Sequence, residues 1–94
     1  MIHVIARTLV RENYVEAYQR LAKELVAETR KEPGNRSYSL NQSAENPRLH
    51  AMIEAWDSRE ALDEHMASEH FQRLVPQMAE FAEKKYPMEL YTEV

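Results

Sequence analysis

Cysteine is absent from the 94 residues. Disulfides, thiolate nucleophiles, thiolate metal sites and iron–sulfur clusters are therefore excluded. The absence fits a reducing compartment, and a cytoplasmic location is expected. Glycine occurs once, at Gly34, so a phosphate-cradling glycine-rich loop cannot be built and a Rossmann or P-loop nucleotide site is not expected. With one glycine and four prolines there is no long flexible linker. No apolar run approaches the ~20 residues that cross a bilayer. The opening Met1-Ile2-His3-Val4-Ile5 lacks the basic and then apolar segments of a secretory leader. Basic charge is in the minority: 12 Lys and Arg against 16 Asp and Glu give a net charge of −4. That excludes the basic face on which nucleic-acid or anionic-membrane binding depends.

What remains is ordinary globular material, 44% hydrophobic and 30% charged. Its length suits one domain over residues 1–94. A chain this short buries a modest core and often gains more by self-association.

Ile2, Val4, Ile5, Leu9 and Val10 crowd residues 2–11 and predict a first strand. Asn13 and Glu16 form a capping box, and Tyr14, Tyr18, Leu21 and Leu25 recur at helical spacing to about Lys31. Glu32-Pro33-Gly34-Asn35 stops that helix. Residues 36–43 alternate as a second strand, 44–47 turn, and Leu49 to Trp56 alternate as a third. Asp57, with Glu60 three residues on, reads as the cap of a second helix; Ser68 restarts or bends it. Phe71, Leu74, Val75, Met78, Phe81 and Ala82 continue its apolar face, with a kink at Pro76. Pro87 precedes a last strand, Met88 to Val94.

The order β-α-β-β-α-β predicts an α+β, ferredoxin-like fold: a four-stranded antiparallel sheet, strands one and three central, helices on one face. The other face is offered apolar residues by strands one and three. A second copy of the chain is its expected cover, giving a homodimer in a dimeric α/β barrel.

The chemistry concentrates near Trp56 and His65. His65 shares a helix side with Ala61 and Leu62. An imidazole facing an apolar interior suits a general base, tuned by burial and a carboxylate; packing alone would also place a histidine there. Trp56 ends its strand where an indole can wall a pocket. If strand faces match, His3, Arg7, His50, Glu54 and Trp56 come together, and Arg7 pairs with Glu54, because a charge inside a strand needs a partner. Tyr38 and Phe71 are candidates to stack on an aromatic ligand. His65 and His70 lie five apart, too far around one helix to share a metal, and neither HExxH nor HxH occurs; no metal site is expected.

Glu54-Ala55-Trp56, the stretch from His65 to Phe71, and Glu32-Pro33-Gly34-Asn35 ahead of Tyr38 together resemble the antibiotic biosynthesis monooxygenase (ABM) family, in particular its quinol monooxygenase-like branch. The resemblance covers nearly the whole chain. It implies a small, cofactor-independent oxygenase whose partners are a small aromatic substrate and O2. Haem-degrading members carry an asparagine, a tryptophan and a haem-ligating histidine where this chain has Arg7, His65 and Val75. Anthrone-oxidising members carry an asparagine and a tyrosine where it has Met52 and Leu62. A histidine at the His65 place is shared by the quinol-type and signal-processing branches. His65 is thus the expected base, Trp56 its companion, and Tyr38, Phe71, His50, Arg7 and Glu54 the expected substrate contacts. Two other readings stand beside this one. One is a non-oxidative isomerase of a small carbonyl compound, with His65 and Glu54 as acid and base. The other is a non-catalytic dimeric module that binds a small molecule.

Overall fold

The computed structural model describes residues 1–94. Strand β1 (Ile2–Val10) leads through a 3-10 turn (Glu12–Tyr14) into helix α1 (Val15–Thr29). Strands β2 (Asn35–Gln42) and β3 (Leu49–Trp56) form a hairpin. Helices α2 (Arg59–Met66) and α3 (Glu69–Ala79) follow, then two short strands, β4 (Ala82–Lys85) and β5 (Glu89–Tyr91). The sheet is antiparallel in the order β2-β3-β1-β4, and β5 also pairs with β1. This is the ferredoxin-like arrangement, with β1 and β3 central as expected. No helix is long and apolar enough to cross a membrane.

Register decides which side chains meet the helices. Ile2 faces Trp56, Val4 faces Glu54, Ala6 faces Met52 and Thr8 faces His50. Side chains alternate along a strand, so these even-numbered residues share the helix-covered face. There Val4, Met52 and Trp56 pack with Tyr18, Ala22 and Leu25 of α1, Tyr38 of β2, Leu62 of α2, and Leu74 and Met78 of α3. Each fully buried aliphatic side chain contributes on the order of 1.5–3 kcal/mol. The opposite face carries His3, Ile5, Arg7 and Leu9 beside Leu49, Ala51, Ile53 and Ala55, and Ile53 is 46% exposed.

This register corrects one expectation. His3 and Arg7 lie on the open face, while His50, Glu54 and Trp56 lie under the helices. Arg7 and Glu54 therefore do not pair; Arg7 contacts Glu89 at 3.4 Å and sits over the Tyr86 ring. An antiparallel partner is set by hydrogen-bond register, and that register placed even against even.

Local signals were also partly redirected. Ser58, not Asp57, caps α2 by accepting from the Ala61 amide at 3.1 Å, since Asp57 is engaged by Arg36. Asn13 makes no side-chain cap; it lies inside the 3-10 turn. Helix α1 ends at Thr29, short of Lys31. Helix α3 continues past Pro76 but stops at Ala79, so Phe81 and Ala82 leave it. Phe81 instead stacks on Tyr14, with ring centroids 5.2 Å apart. The early exit creates β4, whose sequence Ala-Glu-Lys-Lys has no strand pattern of its own; pairing with β1 imposes it. The expected last strand, Met88 to Val94, is shortened to β5, and β4 precedes it as an additional strand across Tyr86-Pro87-Met88.

Candidate active site

A serine breaks the second helical segment and so builds the site. The Ser68 hydroxyl accepts from the Phe71 amide at 3.3 Å, capping α3. It also donates to the His65 carbonyl at 2.6 Å, closing α2. On one continuous helix five residues would splay His65 and His70 apart. The break puts His65 in the last turn of α2 and His70 in the first turn of α3, and both imidazoles turn inward.

They converge on Glu32. His65 Nδ1 lies 2.8 Å and His70 Nε2 2.7 Å from the same carboxylate oxygen, Glu32 Oε2. Glu32 sits in the turn after α1, which the Glu32 amide closes onto the Thr29 carbonyl at 3.0 Å. Gly34 lets that turn reach α2: a Cβ there would lie 2.5 Å from the Ala61 Cβ. Its φ is not positive, so close approach, not backbone freedom, explains the only glycine.

With its Nδ1–H donated to Glu32, His65 is the tautomer whose Nε2 carries a lone pair. Nε2 has no partner within the chain and is not sealed off; His65 lines the main cavity. The ring is held on every other side. Trp56 packs at 4.6 Å, Phe71 at 5.1 Å and Tyr38 at 5.3 Å between centroids. Burial lowers the His65 pKa, and the Glu32 hydrogen bond partly offsets this. The neutral, proton-accepting form is thereby favoured.

The cavity is about 280 Å³, between the sheet and the helices. Leu25, Tyr38, Met52, Glu54, Leu62, Met66, Phe71, Val75 and Met78 wall it, with Lys85 and Tyr86 from the β4 side. A cavity of about 150 Å³ accepts benzene, so this one has room for about two fused rings. Glu54 is its buried carboxylate. Its Oε1 accepts from the Trp56 indole N–H at 2.9 Å, and burial raises its pKa from 4.5 to about 7. Burial also pushes the Tyr38 phenol up, with the Glu54 charge adding to it.

Tyr38, Glu54, His65 and Phe71 therefore line one cavity. Arg7 contributes to its lining, but its guanidinium is taken by Glu89 and Tyr86. Trp56 does not wall the pocket; it is fully buried behind His65 and fixes Glu54. His50 is not at the cavity. It lies four residues along β3 from Glu54, about 13 Å away at ~3.3 Å per residue, under the Tyr18 ring with Nε2 on Gln19 and Nδ1 on the Arg48 carbonyl. Sequence reasoning missed Glu32, which reads as part of a helix stop and lies 33 residues from His65.

Comparison with known proteins places the chain in a family. The profile of the family described as antibiotic biosynthesis monooxygenase matches residues 1–77. The Mycobacterium tuberculosis protein named "Putative monooxygenase Rv0793" is 38% identical over 79 residues, 84% of this chain and 77% of that protein. A crystal structure of an antibiotic biosynthesis monooxygenase superposes with a TM-score of 0.96 at 35% identity, covering 100% of this chain and 99% of the other. A conserved protein from Methanosarcina mazei Go1 also superposes at 0.96, with 33% identity over 99% of this chain and 92% of its own.

Proposed function

Since the chain belongs to the antibiotic biosynthesis monooxygenase family, we propose that it oxidises an electron-rich aromatic such as a quinol with O2, without a cofactor, and that His65 is the general base. The observation that carries this reading is the His65 environment: Nδ1 tied to Glu32, Nε2 without a partner in the chain, and the residue in the wall of an apolar cavity.

The chemistry needs little else. Triplet O2 reacts slowly with closed-shell molecules, but a phenolate donates an electron to it readily. His65 Nε2 takes the phenolic proton, and Glu32 stabilises the resulting imidazolium. The overall step balances within the substrate: a quinol and O2 give a hydroxyquinone and water. One oxygen atom enters the ring, the other leaves as water, and all four electrons come from the quinol. Tyr38 and Phe71 pack against the ring. Glu54, neutral below about pH 7, can donate a hydrogen bond to a developing oxyanion. Trp56 positions both Glu54 and His65. The apolar wall excludes water and so favours the base. A second copy over the open sheet face, where Ile53 is exposed, completes the assembly in this reading.

The test is oxygen uptake by metal-free protein against a panel of quinols and hydroxylated aromatics, wild type beside His65→Gln. Glutamine keeps a donor for Glu32 but removes the base. Uptake should fall by about 10²–10⁴-fold. Uptake equal in both proteins would reduce His65 to a packing residue. The pairing of His65 with a near-neutral Glu54 in one cavity also suits proton-shuttle isomerisation; product formed from a carbonyl substrate under argon would favour that instead.

A further inference from the structure

The Glu32 cluster has more donors than a base needs. His65 requires one carboxylate oxygen to hold its tautomer, yet His70 is aimed at the same atom from a different helix. His70 is not part of the cavity lining and does nothing for the proposed reaction. Glu32 Oε1 makes no hydrogen bond. The three donor atoms lie within 4.8 Å of one another, carried by the turn after α1, the end of α2 and the start of α3.

We propose that Glu32, His65 and His70 form a binding site for a divalent transition-metal ion such as Zn²⁺, and that the ion switches His65 off as a base. Two imidazole nitrogens and one carboxylate oxygen match the borderline metals, and a fourth position stays open. Donors around tetrahedral zinc lie about 3.3 Å apart, given metal–ligand distances of ~2.0–2.1 Å. The present 2.7–2.8 Å gaps to Glu32 need to open by about 0.5 Å, and the two imidazole nitrogens, up to 4.8 Å apart, need to draw in to about 3.3 Å. Glu32, on a turn and partly exposed, can supply the opening, and His70, in the first turn of α3 and equally exposed, the approach. Metal at His65 Nδ1 displaces the proton shared with Glu32. The neutral imidazole then carries its proton on Nε2, which faces the cavity as a donor and no longer accepts. The ion also takes the carboxylate that stabilises the imidazolium. Metal site and cavity thus address opposite nitrogens of one ring.

The switching half rests on the function proposed above; the binding half does not. Metal-free wild type, His70→Ala and Glu32→Gln are titrated with Co²⁺, read by its visible absorption, and with Zn²⁺ by calorimetry. Oxygen uptake is measured with and without Zn²⁺. One ion per chain should bind wild type, at least about tenfold more weakly in both variants. Zn²⁺ should suppress uptake in wild type and leave His70→Ala active. No Co²⁺ spectrum, or equal affinity in His70→Ala, overturns the site. Binding without suppression overturns the switch. If no protein consumes oxygen, the monooxygenase reading and with it the switch fall, while the titrations still decide the site.

Discussion

Replacing Glu54 by glutamine removes the one carboxylate that lies buried in the core, 5% exposed, and its effect on stability should depend on pH. Burial raises its pKa from 4.5 to about 7. Between those values the folded chain keeps the proton and the unfolded chain has lost it. Stability must therefore fall as pH rises from 4.5 to about 7 and level off above. At ~1.36 kcal/mol per pKa unit, the loss is at most about 3 kcal/mol. Glutamine is uncharged, and its carbonyl can still accept from the Trp56 indole. The variant should match wild type within about 1 kcal/mol near pH 4.5 and exceed it by up to about 3 kcal/mol at pH 8. His65 and His50, whose pKa values burial lowers, act with the opposite sign. They are neutral in the fold but charged when unfolded below pH 6.5, so their share of stability is lost on acidification. They are common to both proteins and cancel in the difference. Urea unfolding at pH 4.5, 6 and 8 reads it as a midpoint separation that grows to on the order of 1–3 M. A separation that does not change with pH would refute the assignment of the raised pKa to Glu54.

Three further outcomes follow from the packing. Gly34→Ala should cost about 1–3 kcal/mol because its Cβ meets that of Ala61; Ala61→Gly in the same chain should recover part of it, and additivity in the double-mutant cycle would disprove the close contact. Ser68→Ala should cost about 1 kcal/mol in cap energy and weaken oxygen uptake as well, since the helix break aims His65; full activity in a destabilised variant would separate the two roles. Ile53→Lys should convert a dimer into a monomer by sedimentation velocity, and a wild type already monomeric at micromolar concentration would remove the proposed cover of the sheet.

Much of the fold was legible because it rests on periodicity. Alternation in β2 and β3, and 3.6-residue spacing in α1, survive into the structure because each element buries one stripe. Ser68 was legible as a break because a capping hydroxyl acts locally. The C-terminal strands were not: Ala82–Lys85 has no pattern, and only the free edge of β1 recruits it. The Arg7–Glu54 pairing failed for a related reason. Two alternating strands can be matched in two ways, and the choice lies in hydrogen-bond register, which neither strand carries alone.

The candidate site divides along the same line. Residue types alone determined that chemistry here could use neither thiol nor glycine loop, and that His65, Tyr38 and Phe71 were the groups available to an apolar pocket. Tertiary structure decided what those groups are for. It carried Glu32 across 33 residues to His65, moved Trp56 behind the ring and sent His50 to the far end of β3. It also used one serine to bring His70 onto the same oxygen. A side chain's identity is local, but its partner is set by which turn the packing of two helices allows to approach. Here that approach depends on the absence of a single methyl group at Gly34.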